Sequence, residues 1–186
     1  MRKWPSSILG LVAVEHEPSC DERGSFERWW CEPTFQAMGL ASDFTQLSLS
    51  KNPHVGTLRG LHLAFGAHAE TKLIRCIRGA IFDVVADVRP DSPTFGRWRS
   101  YVLRGGEPRA LHVGPGLAHG FLTLEEESEV LYLIDVPHRP EAARRISYRD
   151  KALAIEWPIA VRVISEEDRE AADLATYLQE LPCASS

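Results

Sequence analysis

The sequence has no long uninterrupted apolar run. No stretch approaches the roughly 18 apolar residues of a membrane-spanning helix, and the apolar part of the N-terminal segment MRKWPSSILGLVAVEHE stops at Glu15, His16 and Glu17. That segment is too short for a typical signal or anchor sequence. We therefore expect a cytoplasmic protein with no membrane partner.

Positive charge and cysteine are also scarce. The 21 Lys and Arg residues are outnumbered by 26 Asp and Glu, and they are scattered along the chain. Because nucleic-acid-binding surfaces concentrate basic residues on one face, we do not expect a nucleic-acid partner, although single arginines could bind a small anion. The four cysteines form no CxxC pair, which argues against a zinc knuckle or a disulfide framework; they are Cys20, Cys31, Cys76 and Cys183.

Internal repeats, low-complexity segments and long linkers are absent, so we expect one domain over residues 1–186. Short apolar segments separated by Gly and Pro predict strands at Ile8 to Val14, Ser25 to Trp30, Phe44 to Ser50, Leu73 to Arg78, Ile81 to Val88, Trp98 to Leu103, Ala110 to Val113 and Glu129 to Ile134. Helices are predicted from Glu32 to Gly39 and over 165–180, the second with Ser165 as N-cap. This pattern favours a β-sandwich or barrel.

Polar and charged side chains are concentrated in GTLRGLHLAFGAHAETK, from Gly56 to Lys72. The pattern predicts a strand from Val55 to Leu58, a functional loop and a second strand. Alternation along the second strand places Lys72 on the same inward face as Ile74. A buried ammonium group needs a partner or a function, so we interpret this stretch as the rim of an active site. Alternatively, His62 is a hydrogen-bonded core histidine and Lys72 reaches solvent at the strand end.

Several other polar residues could serve either a functional or a purely structural purpose. The polar face of the Phe44 to Ser50 strand could line a wet cavity or meet solvent. His119, at the start of a strand, could be functional or could be satisfied by backbone groups. Asp168 could act in a site or, at the third position after Ser165, complete a capping box. Arg23 could be a solvated charge in a turn.

Five segments together resemble the dTDP-4-dehydrorhamnose 3,5-epimerase family, and the similarity covers about Asp21 to Asp168. They are LRGLH (Leu58 to His62), TKLIRCIRGAIFDVVADVRPDSPTFGRW (Thr71 to Trp98), PGLAHGF (Pro115 to Phe121), VLYLIDV (Val130 to Val136) and ALAIEWP (Ala152 to Pro158). The resemblance implies a mainly β cupin jelly roll with short flanking helices. It also implies a homodimer that needs no metal or organic cofactor and acts on nucleotide-linked 4-keto-6-deoxy sugars in deoxysugar biosynthesis.

The resemblance also implies roles for individual residues. The catalytic set is His62 as general base, Tyr132 as acid, Lys72, and Asp168 as the carboxylate partner of the histidine. The substrate-binding set is Arg59, His119, Gln46, Arg23 and Phe26, of which Arg23 and Phe26 commonly come from the partner subunit. His138 stands in the substrate lining where the family usually has a tyrosine.

The chemistry of epimerisation requires these residue types. A proton next to a ketone is acidic only through the enolate, so a base must lie over the carbon and a positive donor must face the developing oxyanion. His62 can supply the base and Lys72 the positive donor. Inversion requires a proton from the opposite face, which the phenol of Tyr132 can provide. Arginines such as Arg59 and Arg23 suit a diphosphate because the guanidinium group forms paired hydrogen bonds.

Three positions depart from the family pattern: Ala64 stands where family members generally have glutamine, Arg28 where they have an acidic residue, and His138 where they have a tyrosine. The proton-transfer residues are retained, so we predict an active epimerase that has an atypical substrate or inverts only one carbon. One alternative is a catalytically silent cupin that binds a nucleotide sugar. Another is a metal-dependent cupin that uses His62, His68, Glu70 and His119, although their spacing lacks the usual tight HxH followed by Glu.

Overall fold

The computed structural model describes residues 1–181, so Cys183 lies outside the described residues. Strands are numbered in chain order. The six-stranded sheet consists, in spatial order, of β1 (Arg2–Pro5), β2 (Leu11–Glu15), β10 (Arg109–Val113), β7 (Lys72–Arg78), β12 (Ser128–Ile134) and β5 (Gln46–Asn52). The five-stranded sheet consists of β13 (Ala143–Arg145), β6 (Leu58–Ala64), β11 (Leu117–Thr123), β8 (Ala80–Asp87) and β9 (Trp98–Arg104).

The remaining elements are small. A hairpin is formed by β3 (Ser19–Asp21) and β4 (Gly24–Phe26), and the helices are α1 (Glu32–Ala37), α2 (Glu166–Arg169) and α3 (Leu174–Glu180). Single 3₁₀ turns span Gly66–His68 and Pro140–Ala142. All pairings between the named strands are antiparallel. The predicted mainly β jelly roll with short flanking helices is confirmed.

The main core lies between the two sheets. Alternation turns Ile74 and Val130 of the six-stranded sheet toward Ile81, Val85 and Phe121 of the five-stranded sheet, and all are at most 1% exposed. Burying a side chain of this size contributes about 1.5–3 kcal/mol, so this layer is a principal source of stability. Separate apolar clusters cover the outer faces of the two sheets. No helix among residues 1–181 is long and apolar enough to cross a membrane.

Two glycines allow strands β6 and β11 to cross closely. A Cβ atom on Gly60, whose φ is +123°, would lie 2.6 Å from Cα of Gly120 and 2.8 Å from the carbonyl oxygen of His119. A side chain would also strain the backbone at that φ. The pairing of β6 with β11 shifts register between His119 and Phe121. The glycine of the RGLH motif therefore holds His62 and His119 as cross-strand neighbours.

Several predicted strand boundaries differ from the structure. The strand predicted from Val55 to Leu58 is instead β6, so RGLH lies inside a strand and the loop begins after Ala64. The strand predicted from Phe44 to Ser50 is β5, Gln46–Asn52. Its ends are fixed by pairing with β12, in which Gln46 lies opposite Ile134 and Asn52 opposite Ser128. The strand predicted from Ser25 to Trp30 ends at Phe26, because it pairs only within its hairpin.

The helix predicted over 165–180 is divided into α2 and α3. Ser165 caps α2 by accepting a hydrogen bond from the backbone N–H of Asp168, as predicted. Asp173 then starts a second helix by accepting from the N–H of Thr176, while the N–H of Leu174 donates to Asp150. These contacts redirect the chain, and α3 packs Leu174 against the outer face of the five-stranded sheet.

Candidate active site

A cavity of about 350 Å³ opens between the two sheets. Six predicted site residues line it: Arg59, His62, Lys72, His119, Tyr132 and His138. His62 comes from the five-stranded sheet and Tyr132 from the six-stranded sheet. The histidine and the phenol therefore approach the cavity from different walls.

His62 and Asp168 form a hydrogen-bonded pair. Nε2 of His62 lies 2.6 Å from Oδ1 of Asp168, and Oδ2 of the same carboxylate accepts from the N–H of Gly60 at 3.0 Å. The carboxylate therefore bonds to β6 and takes no part in the cap of its own helix. In that cap, the backbone N–H of Asp168 donates to Ser165. A hydrogen bond donated by Nε2 leaves the Nδ1 lone pair of His62 free to accept a proton.

The environment of Asp168 favours its charged form. Burial acts to raise the pKa of Asp168, but the hydrogen bond and charge of His62, the N–H of Gly60 and the charge of Arg145 together outweigh it. The pKa consequently lies below the ordinary value for an aspartic acid. Asp168 is thus a carboxylate at neutral pH and can stabilise an imidazolium on His62.

Lys72 points into the cavity and has a carboxylate partner. Its Nζ lies 2.8 Å from Oε1 of Glu70, and the two side chains are 9% and 16% exposed. Sequence analysis considered Glu70 only as a possible metal ligand and missed this pair. The pairing satisfies the requirement of a nearly buried cation for a counter-charge and holds the ammonium group at the cavity wall.

His119 and Tyr132 form a second cluster with Asp83, which sequence analysis missed. Nε2 of His119 lies 2.7 Å from Oδ2 of Asp83, and the rings of His119 and Tyr132 meet edge to face with centroids 6.0 Å apart. Asp83 is fully buried, at an inward position of β8 between Ile81 and Val85. A charged residue at an inward position of an apolar strand is the signal that could have identified it.

The phenol of Tyr132 is strongly biased toward its protonated form. Burial raises the pKa of Tyr132 well above its ordinary value, the charge of Asp83 raises it further, and the charge of Arg59 opposes them. A proton donor must hold its proton at the working pH. Tyr132 meets that condition across the neutral and mildly alkaline range.

Arg59 is oriented by a neighbour that sequence analysis also missed. Its Nε donates to Oδ1 of Asn52 at 2.8 Å, and Asn52 is itself fixed by a bond to the carbonyl oxygen of Ser128. Ser48 and Ser50, on the polar face of β5, line the same cavity. Of the two interpretations of this strand, the polar lining is correct.

Three predicted substrate-binding residues lie outside the cavity lining. Gln46 donates to the backbone carbonyl of Val136. Arg23 pairs with Asp21 in the β3–β4 hairpin, where its side chain is 86% exposed, and Phe26 in the same hairpin is 71% exposed. Within one chain the structure therefore does not bring these residues to His62.

The departures from the family pattern are unequally placed. Ala64 and His138 line the cavity, whereas Arg28 is exposed away from it and its backbone carbonyl accepts from His16. Three arginines that sequence analysis did not select also line the cavity, namely Arg139, Arg144 and Arg145. Guanidinium groups in the lining of a cavity suit an anionic ligand.

The four residues of the metal-cupin alternative are not arranged as a ligand set. Glu70 is paired with Lys72, and His119 is bonded to Asp83. Within residues 1–181, no three His, Cys, Asp or Glu side chains are grouped in a way that could hold a metal ion. Metal content stays a prediction, which elemental analysis of the purified protein tests.

Comparison with known proteins gives consistent results. The family model for dTDP-4-dehydrorhamnose 3,5-epimerase matches residues 5–176. The dTDP-4-dehydrorhamnose 3,5-epimerase of Mycobacterium tuberculosis is 40% identical over 174 residues, which cover 92% of this chain and 86% of the relative. The dTDP-4-dehydrorhamnose 3-epimerase of Streptomyces niveus is 34% identical over 176 residues, which cover 94% of this chain and 84% of the relative.

Solved structures show the same similarity. The structure of an epimerase from Mycobacterium tuberculosis superposes with a TM-score of 0.91 at 34% identity, covering 96% of this chain and 91% of that one. ChmJ, a 3'-monoepimerase from Streptomyces bikiniensis in complex with dTDP-quinovose, superposes with a TM-score of 0.87 at 33% identity, covering 94% and 89%. The chain therefore belongs to the dTDP-4-dehydrorhamnose 3,5-epimerase family.

Proposed function

We propose that this protein inverts the carbon or carbons next to the ketone of a nucleotide-linked 4-keto-6-deoxy sugar. The observation that carries the proposal is the meeting of the His62–Asp168 pair, Lys72 and Tyr132 at one cavity. These are a base, a cation and an acid, which are the three groups that enolate chemistry needs. The reaction class is that of an isomerase in deoxysugar biosynthesis.

The base is His62. Its free nitrogen removes the proton from the carbon next to the ketone, and the resulting imidazolium is stabilised by Asp168. The electron pair of the broken C–H bond forms the C=C bond of the enolate, the carbonyl π electrons move to oxygen, and the enolate oxygen is stabilised by the ammonium group of Lys72. The partial neutralisation of Lys72 by Glu70 keeps the lysine ordered at the wall before substrate arrives.

The acid is Tyr132, on the wall that the other sheet supplies. Because β6 and β12 belong to opposite sheets, a sugar ring between them has one face toward His62 and the other toward Tyr132. Proton removal on one face and delivery on the other invert the carbon. The neutral phenol favoured by burial near Asp83 is the form that can donate.

The substrate is an anionic nucleotide sugar. Arg59, Arg139 and Arg144 line the cavity and can give paired, charge-assisted hydrogen bonds to a diphosphate. Two of the relatives are named as epimerases of dTDP-4-dehydrorhamnose, and ChmJ was solved with dTDP-quinovose, which supports a dTDP-linked sugar as substrate. We place the reaction in the cytoplasm.

Inversion is restricted to one carbon, or the sugar is atypical, because the cavity lining is altered. Ala64 leaves space and lacks the hydrogen-bonding amide of the glutamine usual in the family, and His138 puts an imidazole in the cavity lining where the family has a phenol. The relatives include both a 3,5-epimerase and a 3-epimerase, so the family accommodates either outcome.

The active form is a homodimer of single-domain subunits in which the β3–β4 hairpin of one subunit completes the site of the other. The exposed side chains of Arg23 and Phe26 support this arrangement, since neither lines the cavity that holds His62 within residues 1–181 of its own chain. The large exposed aromatic ring of Phe26 suits stacking on a nucleobase or packing against a partner.

Deuterium incorporation tests the reaction directly. A panel of nucleotide-linked 4-keto-6-deoxy sugars that differ in base and sugar is incubated with the protein in heavy water, and carbons 3 and 5 are followed by NMR. We expect exchange at one carbon, or exchange only with a sugar or base other than the dTDP-linked glucose-derived ketone. Normal exchange at both carbons with that ketone contradicts the restriction. Binding without exchange for every member identifies a silent binder.

A further inference from the structure

Arg145 shares an oxygen atom with the proposed catalytic pair. It lies on β13, directly opposite His62 in the pairing with β6, so the two side chains are cross-strand neighbours. Its Nε lies 3.3 Å from Oδ1 of Asp168, the same oxygen that lies 2.6 Å from Nε2 of His62. The other end of the guanidinium donates to Glu167 at 2.8 Å.

We propose that Arg145 is a positioning residue that lowers the proton affinity of His62 through their shared carboxylate. The proposal rests on the role of His62 as the base in the proposed function. It assigns to Arg145 a role different from that of the other arginines of the cavity. Among residues 1–181, two side chains form ion pairs with Asp168, and they are His62 and Arg145.

The physical reason is competition for one carboxylate. An imidazolium on His62 is stabilised by the negative charge of Asp168, and a guanidinium at the same oxygen offsets part of that charge. The guanidinium also repels the imidazolium directly. Both effects favour neutral His62, which is the form that accepts a proton from the substrate. Without Arg145, a larger fraction of the enzyme would carry a protonated, inactive base at mildly acidic pH.

The geometry also fixes the carboxylate. Gly60 holds Oδ2 of Asp168, and Arg145 and His62 together hold Oδ1. With both oxygens engaged, the carboxylate plane is set, and the imidazole ring that bonds to it is set as well.

Other charged and titratable groups near His62 are arranged differently. On its own sheet are Arg59 and His119, the second bonded to Asp83; on the opposite sheet are Tyr132 and the Lys72–Glu70 pair. The segments between strands contribute His68, His138 and Arg139, and β13 itself contributes Arg144. Arg145 and Lys72 each have a carboxylate partner, Glu167 and Glu70, but Glu167 is 72% exposed and no other residue of this group contacts Asp168 among residues 1–181. The coupling is therefore specific to Arg145.

An NMR titration of the His62 side chain in the substrate-free protein tests the coupling. The imidazole signal is assigned by its loss in His62→Asn and followed from pH 5 to 9. In Arg145→Gln we expect the titration midpoint to rise by on the order of half a pH unit, because Arg145 is 41% exposed and water screens its charge. Arg145→Lys retains the positive charge and should keep most of the wild-type midpoint.

Arg104→Gln is the matched control. Arg104 lies on β9, outside the cavity lining, and forms an exposed ion pair with Glu125. Its replacement removes the same charge and should leave the titration midpoint of His62 unchanged. An equal midpoint in wild type and Arg145→Gln overturns the proposal, as does an equal rise in the Arg104→Gln control.

The rate profile supplies a second readout. In Arg145→Gln the acid limb of kcat/KM against pH should move upward by the amount seen in the titration. A uniform rise in KM with no movement of the limb would mean that Arg145 only contacts substrate, and would overturn the proposal. Since the titration requires no turnover, a wild-type protein that exchanges no protons would refute the proposed function while the titration still decides the role of Arg145.

Discussion

His62 and Asp168 are 106 positions apart in the chain, yet their side chains meet at 2.6 Å. The contact joins β6 of the five-stranded sheet to α2, and the N–H of Gly60 holds the second carboxylate oxygen. Ser165 caps the same helix through the backbone N–H of Asp168 and not through its carboxylate. The capping and catalytic interpretations of Asp168 can therefore be separated by mutation.

Asp168→Asn should lower the rate of proton exchange by about 10²–10⁴-fold, because the amide cannot stabilise an imidazolium with a charge. Its effect on stability should be small, since the cap formed by Ser165 is retained. Exchange is measured by NMR in heavy water, and stability by urea unfolding. Ser165→Ala is the matched control: it should cost about 1 kcal/mol of unfolding free energy with little loss of rate. The reverse pattern would make Asp168 a structural residue.

His62→Ala and Tyr132→Phe should fail in different ways. Loss of His62 removes the base and should abolish exchange at the sugar. Loss of the Tyr132 hydroxyl should impair inversion while leaving some proton abstraction, because His62, Asp168 and Lys72 remain. Deuterium exchange and product stereochemistry are followed separately in one NMR experiment. If Tyr132→Phe inverts the carbon at the native rate, another group is the acid.

The Glu70–Lys72 pair predicts unequal losses of rate when either partner is replaced. Lys72→Met should lower exchange about 10²–10³-fold, because it removes the positive donor facing the enolate. Glu70→Gln retains that donor but takes away the counter-charge of a nearly buried cation, so we expect a smaller loss at neutral pH. Equal exchange rates in Glu70→Gln and the wild type would show that Glu70 does not support Lys72.

The strand pattern was the most predictable part of the fold. Alternation and Gly or Pro breaks locate β7, β8, β9, β10 and β12 to within about one residue. Three short strands, β1, β3 and β13, were not predicted, because RKWP, SCD and ARR carry no apolar alternation and are strands only through pairing with β2, β4 and β6. Their existence depends on tertiary contacts that local patterns do not contain.

The site was predictable to the extent that its residues carry a local signal. His62, Lys72 and Tyr132 lie in recognisable segments, and their partners were harder to find. Asp83 had a usable signal as a charge inside an apolar strand. Arg145 had none, because its position beside His62 follows from the placement of β13.

Asp87 is bonded to residues of the DSPTFG turn, and these bonds predict an effect of low pH on stability. Asp87 is fully buried and accepts hydrogen bonds from Arg89, Ser92 and Thr94. Burial acts to raise the pKa of Asp87, but these bonds outweigh it and lower the pKa to about 2. The carboxylate is therefore retained in the folded protein at a pH where the unfolded chain, with a pKa of about 3.9, is already protonated.

The sign of the effect follows from that difference. The contribution of Asp87, about 2 kcal/mol, is present in full above pH 4 and is lost as the pH falls toward 2. Asp87→Asn should thus lower the free energy of unfolding at pH 7, and the gap to wild type should narrow between pH 4 and 2. Urea unfolding at several pH values measures both. A gap that stays constant with pH would assign the loss to packing and not to charge.

The exposed β3–β4 hairpin predicts complementation between inactive variants. If Arg23 and Phe26 act on the partner's site, a chain with His62→Ala still offers an intact hairpin, and a chain with Arg23→Ala and Phe26→Ala still offers an intact cavity. A heterodimer of the two then contains one complete site. Each homodimer contains none, because its two sites share the same defect.

The two variants are produced together with different affinity tags, and the mixed dimer is isolated by two-step purification. We expect its proton exchange to approach half the wild-type rate per dimer, while the homodimers stay far below it. If the hairpin acted on its own chain, every site of the mixed dimer would have a defect and exchange would stay at the level of the homodimers. A tagged wild-type dimer carried through the same purification controls for losses in handling. A monomeric mass for the wild-type protein in solution would contradict the arrangement in which one subunit completes the site of the other.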